Sequence, residues 1–193
     1  MSRTRWHDAA GAVVRTTEIA GLVVIEARAA TDERGTIREL FRASDLAHAG
    51  IEVGRFLQIN LTETVPGAIR GLHGEGVTKL VSVVEGAVFG AWVDVRPDSP
   101  SSGLVVTRPL ARGDVVVVPS GVCNGFQSLG DRPSQYVYCF DAEWAPAMPG
   151  AAVNPLDPEL GIRWPVPPDP SLVSVKDRSL PSLQTVLHRA RAS

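Results

Sequence analysis

Short runs of β-branched and apolar residues, cut by glycine or proline roughly every 8–12 positions, restrict this chain to an all-β architecture. Leu22–Ala27 reads as one strand, and Thr36–Phe41 as another that alternates Ile37, Glu39 and Phe41 with Thr36, Arg38 and Leu40. Between them, Asp32-Glu33-Arg34-Gly35 is a turn with an arginine at its tip. Phe56–Leu61 alternates strictly, with Gln58 and Asn60 on one face and Leu57, Ile59 and Leu61 on the other. Polar residues on a pocket-facing side account for that order. Leu80–Val84, the turn Glu85-Gly86-Ala87 and Val88–Val95 form a hairpin pattern. Leu104–Leu110, Val115–Val118 and Gln135–Phe140 complete the strand set. Helical periodicity is nearly absent: Ala43–Gly50 predicts one short helix, N-capped by Ser44 and closed by Gly50, and Leu180–Ala192 predicts a terminal one. A β-sandwich or barrel follows.

Composition limits the rest. With 44% apolar and 21% charged side chains over 193 residues, the chain is expected to form one domain, 1–193. Barrel strands are expected within 22–140 and a wrapping segment over 141–193, because the proline-rich run Pro146–Pro181 cannot donate evenly to a sheet. A net charge of −2 gives none of the basic field on which nucleic-acid binding relies. No stretch approaches the ~20 apolar residues of a membrane span. Met1–Asp8 is polar, unlike the apolar centre of a signal peptide, so a cytoplasmic location is expected. Cys123 and Cys139 lack C-x-x-C spacing and read as buried free thiols, while His7, His48 and His188 have no chemical context and read as solvated.

Chemistry concentrates in Ala68–Leu80, where Arg70, His73, Glu75 and Lys79 are interleaved with Gly71, Gly74 and Gly76. In an ideal strand His73 shares a face with Gly71 and Ile69 while Arg70 points the other way. Only a bulge at Gly71 brings both into one pocket, which Glu75, two residues past His73, also faces. Further on, Gly113-x5-Pro119-Ser120-Gly121-Val122-Cys123-Asn124 has the spacing of the second cupin motif, with asparagine where a metal cupin has histidine. A transition metal needs three or four convergent ligands, and His73 with Glu75 falls short, so the expected barrel is metal-free.

Many ordered pieces then coincide with one family. They are Asp32-Glu33-Arg34-Gly35, Gln58-x-Asn60, Arg70-Gly71-Leu72-His73, Lys79-Leu80-Val81, Ser99-Pro100 before Gly103, Pro119-x-Gly121, Gly125-Phe126 and Tyr138. Asp157-Pro158, Gly161-Ile162-x-Trp164-Pro165 and Lys176-Asp177 before Pro181 complete the set. From Val23 to Leu183 the chain resembles the dTDP-4-dehydrorhamnose 3,5-epimerase family of nucleotide-sugar enzymes. The resemblance implies a cupin-type jelly roll, or double-stranded β-barrel, with a short C-terminal helix, no cofactor, no metal, and a homodimer to which N-terminal strands contribute. It implies an epimerase that inverts C3 and/or C5 of a nucleotide-diphosphate-linked 4-keto-6-deoxy sugar, dTDP-linked by preference. In that assignment His73 is the base, Asp157 the carboxylate pairing with it, Tyr138 the opposing acid and Lys79 the cation for the C4 oxyanion. Arg34 and Arg70 hold the diphosphate, and Gln58, Asn60, Glu75, Asn124 and Trp144 are the remaining substrate-binding candidates.

Departures from the family pattern keep further activities open. Only Gly74–Thr78 separate His73 from Lys79, Asn124 replaces a second histidine, Trp144 replaces a common tyrosine, and Thr36-Ile37 replace an aromatic pair. The short His-Gly-acidic loop together with Asn124-Gly125 is similar to relatives that act on GDP-linked 4-keto heptoses, and Asn124 with the five-residue link from His73 to Lys79 leads to an expectation of exchange mainly at C3. A 3,4-ketoisomerase and a catalytically silent nucleotide-sugar-binding cupin compete with the epimerase reading.

Overall fold

The computed structural model describes residues 13–192, so the readings of His7 and of Met1–Asp8 lie outside the described residues. Within this range the chain opens with β1 (Val13–Thr16), β2 (Val23–Glu26), β3 (Arg28–Asp32), β4 (Gly35–Glu39) and α1 (Ala43–His48). The central run is β5 (Gln58–Thr64), β6 (Ile69–Glu75), β7 (Lys79–Glu85), β8 (Ala87–Asp94), β9 (Val105–Ala111), β10 (Asp114–Val118), β11 (Val122–Leu129) and β12 (Ser134–Phe140). After it come β13 (Gly150–Ala152), two 3-10 turns at Pro158–Leu160 and Pro170–Leu172, α2 (Val175–Arg178) and α3 (Leu183–Ala192).

Antiparallel pairing among these elements gives a six-stranded sheet, β1-β2-β10-β7-β12-β5, and a five-stranded sheet, β13-β6-β11-β8-β9. The hairpin β3-β4 stands apart as a small two-stranded sheet, with Asp32 paired to Gly35 and Arg34 in its turn. Side chains from the inner faces of the two large sheets, including Val81, Val83, Trp92, Val116, Phe126 and Tyr136, interdigitate as the main core. This two-sheet arrangement is the β-sandwich or barrel that the strand pattern predicts, and it is the cupin-type jelly roll that the family resemblance implies.

Two further apolar layers cover the outer faces. Leu46 of α1 packs on Val23, Leu80 and Val117 of the six-stranded sheet. Leu160, Leu183 and Val186 of the C-terminal segment pack on Leu72, Ala91, Val93 and Cys123 of the five-stranded sheet. The proline-rich tail therefore wraps the barrel, but it does more than wrap: β13 pairs with β6, and β1 likewise extends the sheets beyond the expected 22–140. Ser44 is not the cap of α1. Arg42 occupies the N-cap position without a side-chain bond, and Gly50, at φ 73°, lies just past the end as expected. Cys123 is buried and Cys139 partly buried, both free, while His48 and His188 are exposed.

On β5 the alternation holds, with an unexpected outcome for one face. Asn60 and Thr62 face the barrel mouth, yet Leu57, Ile59 and Leu61 on the other face remain 55%, 67% and 59% exposed. β5 is the edge strand of its sheet, and Leu57, Ile59 and Leu61 stand outside the apolar layer that Leu46 of α1 joins.

Candidate active site

The sequence Arg70-Gly71-Leu72-His73 shapes the floor of the site. Across β6 and β11, His73 pairs with Asn124 whereas Arg70 pairs with Phe126, so three steps on β6 match two on β11. That bulge is the one required to bring Arg70 and His73 to the same side. Gly71 makes it feasible: its φ is 110°, and a Cβ there would stand 2.6 Å from Gly125 Cα and 2.7 Å from the Asn124 carbonyl oxygen.

Above this floor lies a cavity of about 330 Å³. β5, β7 and β12 supply Asn60, Lys79 and Tyr138 on one wall, and β6 and β11 supply Arg70, His73, Glu75 and Asn124 on the other. Ser174, Lys176 and Asp177 at α2 close one side.

His73 Nε2 lies 2.7 Å from Asp177 Oδ1. Burial pushes the Asp177 carboxyl up, but its hydrogen bond to His73 and the imidazole's charge outweigh burial and leave it below the ordinary carboxylate range. Its own backbone N–H donates to Ser174 Oγ at 3.0 Å, so the helix cap holds the carboxylate in place. The family resemblance assigns this pairing to Asp157, and the geometry corrects it. Asp157 Oδ1 accepts from Glu159 N at 3.1 Å and Oδ2 from Leu183 N at 2.7 Å, so both oxygens are engaged in capping the Pro158–Leu160 turn and α3. The sequence signal at Asp177 is Ser174-x-x-Asp177, which marks a helix start with an acidic residue in its first turn but does not by itself point that residue at His73.

Lys79 is buried, donates to the His73 carbonyl oxygen at 2.9 Å and is ion-paired with Glu75. Burial raises Glu75, yet the charge and hydrogen bond of Lys79 bring it net below its ordinary value. Tyr138 stacks on Phe140 and meets Tyr136 edge-on. Burial pushes its hydroxyl well above the ordinary phenol range, against a smaller downward pull from Arg70, so it stays protonated through the neutral range. Arg70 donates to Thr64 Oγ1 at 2.8 Å and to the Glu63 carbonyl oxygen at 3.2 Å, which fixes a fork with further donors to spare.

Four other predicted residues do not line the cavity. Asp157 caps the tail. Gln58 sits beside the site, donating to Asn60 Oδ1 at 3.2 Å and accepting from Trp144 N at 2.7 Å, and Trp144 is exposed outside it. Arg34 lies at the tip of β3-β4, on Asp32 Oδ2 at 2.6 Å, away from the cavity of its own chain. Besides Asp177, the residues missed from sequence are Thr62, Phe140, Ser174 and Lys176. Among the described residues, no group of three or more His, Cys, Asp or Glu side chains converges as a metal site requires.

A jelly roll whose mouth sets an imidazole-carboxylate pair against a phenol from the facing sheet belongs to the cupin epimerases of nucleotide sugars. More narrowly, the chain belongs to the dTDP-4-dehydrorhamnose 3,5-epimerase family, whose profile matches residues 16–185. It is 33% identical over 172 residues to the dTDP-4-dehydrorhamnose 3,5-epimerase of Methanothermobacter thermautotrophicus, covering 84% of this chain and 90% of that protein. Among solved structures it resembles a 4-keto-6-deoxy sugar epimerase from the novobiocin gene cluster of Streptomyces spheroides, with TM-score 0.85, 30% identity, and 94% and 92% of the two chains covered. It also resembles a 3'-monoepimerase from Streptomyces bikiniensis in complex with dTDP-quinovose, with TM-score 0.81, 34% identity, and 90% and 89% coverage.

Proposed function

We propose that this protein epimerises a dTDP-linked 4-keto-6-deoxy sugar at carbon next to the ketone, by removing a proton on one face and returning one on the other. The observation that carries this reading is that His73 and Tyr138 come from opposing sheets into one cavity, as a base and an acid on opposite faces of a sugar ring must. His73 takes the proton from the carbon beside the ketone. The C–H electron pair becomes the enolate double bond, and the carbonyl pair moves onto the C4 oxygen. Asp177 holds the imidazole orientation and stabilises the imidazolium that forms. Lys79, whose charge is paired with Glu75 in the ground state, would stabilise the oxyanion that forms at C4. The Tyr138 hydroxyl delivers its proton to the opposite face of the enolate, restoring the ketone with inverted configuration; the His73 imidazolium then releases its proton to solvent and the Tyr138 phenolate takes one up, which resets both groups.

Arg70 and the exposed Lys176 at the cavity mouth suit the diphosphate. A diphosphate role for Arg34 requires its projecting hairpin to reach the cavity of a second copy. A homodimer fits this geometry, since Leu57, Ile59 and Leu61 present an apolar stripe that a second copy would cover. Among the described residues no helix is long and apolar enough to cross a membrane, and a cytoplasmic location suits a nucleotide-sugar substrate. A 3,4-ketoisomerase is less well served, because His73 is the only histidine among the described residues lining this cavity.

The test is incubation in heavy water with dTDP- and GDP-linked 4-keto-6-deoxy hexoses and 4-keto heptoses, read by NMR. Deuterium at C3 or C5 of the dTDP-linked hexose is expected. Binding of these donors without deuterium at any carbon would leave a binding cupin and reject the epimerase.

A further inference from the structure

We infer that Asn124 selects the carbon at which epimerisation occurs, favouring C3 over C5 through a hydrogen bond that only the hydroxyl-bearing centre can supply. The inference rests on the proposed epimerase reading. Asn124 is 4% exposed and lines the cavity, and its side-chain oxygen is buried without a hydrogen-bond partner. A buried amide oxygen left in this state is unfavourable, and in a ligand cavity its natural partner is a donor from the ligand. Among the described residues none supplies one. Trp92, directly opposite Asn124 across β8, carries an indole N–H that is likewise unpartnered, and no bond joins the two.

Register fixes where that donor must be. Asn124 is the direct cross-strand partner of His73, and paired residues project from the same face of a sheet. The sugar carbon placed before the imidazole therefore carries its substituents toward the amide. The two carbons flanking a C4 ketone differ in what they carry. C3 has a hydroxyl of its own and a second on C2, both able to donate. C5 of a 6-deoxy sugar has a methyl group and the ring oxygen, neither of which has a proton to donate. Presenting C3 satisfies the Asn124 oxygen, whereas presenting C5 leaves it covered by the sugar without a partner. A site built around a substrate hydroxyl discriminates strongly against a group that lacks one, and one such unsatisfied oxygen corresponds to a preference of roughly ten- to a hundredfold. The Asn124 amide cannot ionise or tautomerise to change its pattern between the two poses, unlike an imidazole.

The experiment measures early deuterium incorporation at C3 and C5 of dTDP-4-keto-6-deoxyglucose in heavy water for the wild type, Asn124→Leu and Asn124→His. Wild type should label C3 at least about tenfold faster than C5. Asn124→Leu, of similar volume but with no acceptor, should slow C3 and bring the two rates within about threefold of each other. Asn124→His restores a polar group that can donate or accept and should raise C5 relative to C3; it also serves if the leucine variant does not fold, as judged by circular dichroism. The rate ratio is the informative quantity, because both positions share His73 and a general loss of structure would lower them together. Equal labelling at C3 and C5 by the wild type, or an unchanged ratio in a folded variant, would overturn the selector role while leaving the epimerase intact. Absence of label at both carbons in the wild type would overturn the epimerase reading, and the selector with it.

Discussion

The His73 imidazole and the Asp177 carboxylate, 104 residues apart in sequence, meet at 2.7 Å. One belongs to a barrel strand and the other to a four-residue helix in the wrapping tail, so the tail completes the cavity at the barrel mouth.

Asp177→Asn should therefore impair proton exchange by ~10²-fold or more while leaving dTDP binding nearly unchanged, since an amide can no longer stabilise the imidazolium or enforce the tautomer. The pH profile of exchange should also shift, because a carboxylate held ionised below its ordinary range no longer faces the imidazole. Asp157→Asn is the contrast: it weakens two caps and should cost about 1 kcal/mol of stability, with exchange within a few-fold of wild type. Exchange rates and calorimetric melting of the two variants separate the roles, and the reverse outcome would reinstate Asp157 as the partner of His73.

The different legibility of these two aspartates has a physical cause. Strand alternation and glycine punctuation are local signals, and they located β5, the β7-β8 hairpin and the Gly71 bulge from the sequence. Which carboxylate reaches His73 depends on how the tail folds back over the five-stranded sheet, a long-range relationship without periodicity. Asp-Pro and Ser-x-x-Asp are both capping patterns, and only the packing decides that one caps the tail's outer turn and the other faces the cavity. The apolar face of β5 escaped for a similar reason: alternation marks a face as apolar but not what covers it.

Asp94 is a stability element distant in role from the cavity. It is fully buried and accepts from Arg96 Nε at 2.8 Å and Ser101 Oγ at 2.6 Å, tying down the turn between β8 and β9. Burial raises its carboxyl, but the bonds from Arg96, Ser101 and Ser99 outweigh that and lower it to about 2. A depressed carboxylate stabilises the fold at pH above its unfolded value, near ~3.9, and that contribution is lost as pH falls toward the folded value. Asp94→Asn should cost about 2 kcal/mol at neutral pH, with the deficit shrinking as the pH is taken below ~4. Urea unfolding at several pH values measures this, and a deficit independent of pH would contradict the assignment.

Gly71→Ala should be far more damaging than Gly35→Ala, although both glycines have positive φ, 110° and 129°. A methyl group at Gly35 meets nothing within 4 Å, whereas at Gly71 it collides with backbone on β11. Gly35→Ala should cost on the order of 1–2 kcal/mol of backbone strain, and Gly71→Ala at least about 3 kcal/mol with loss of the site's shape. Melting temperature and dTDP binding report both, and equal effects would argue against the bulge as the organiser of the site.

Tyr138→Phe should separate proton removal from proton return. The ring stacks on Phe140 and packs edge-on against Tyr136, contacts a phenylalanine keeps, so stability should change by no more than about 1 kcal/mol. What disappears is the hydroxyl, which burial keeps protonated and so available as an acid from the β12 wall. With His73 and Asp177 intact, the variant can still form the enolate and return a solvent-derived proton from the same face. Deuterium should therefore enter the carbon next to the ketone with its configuration retained, while inverted product falls by ~10²-fold or more. His73→Asn, in contrast, should abolish labelling and inversion together, because nothing opens the C–H bond. NMR of the recovered sugar in heavy water distinguishes label from inversion in a single sample. Inverted product formed by Tyr138→Phe at near wild-type rate would mean that another group, or water entering from the β12 side, delivers the second proton.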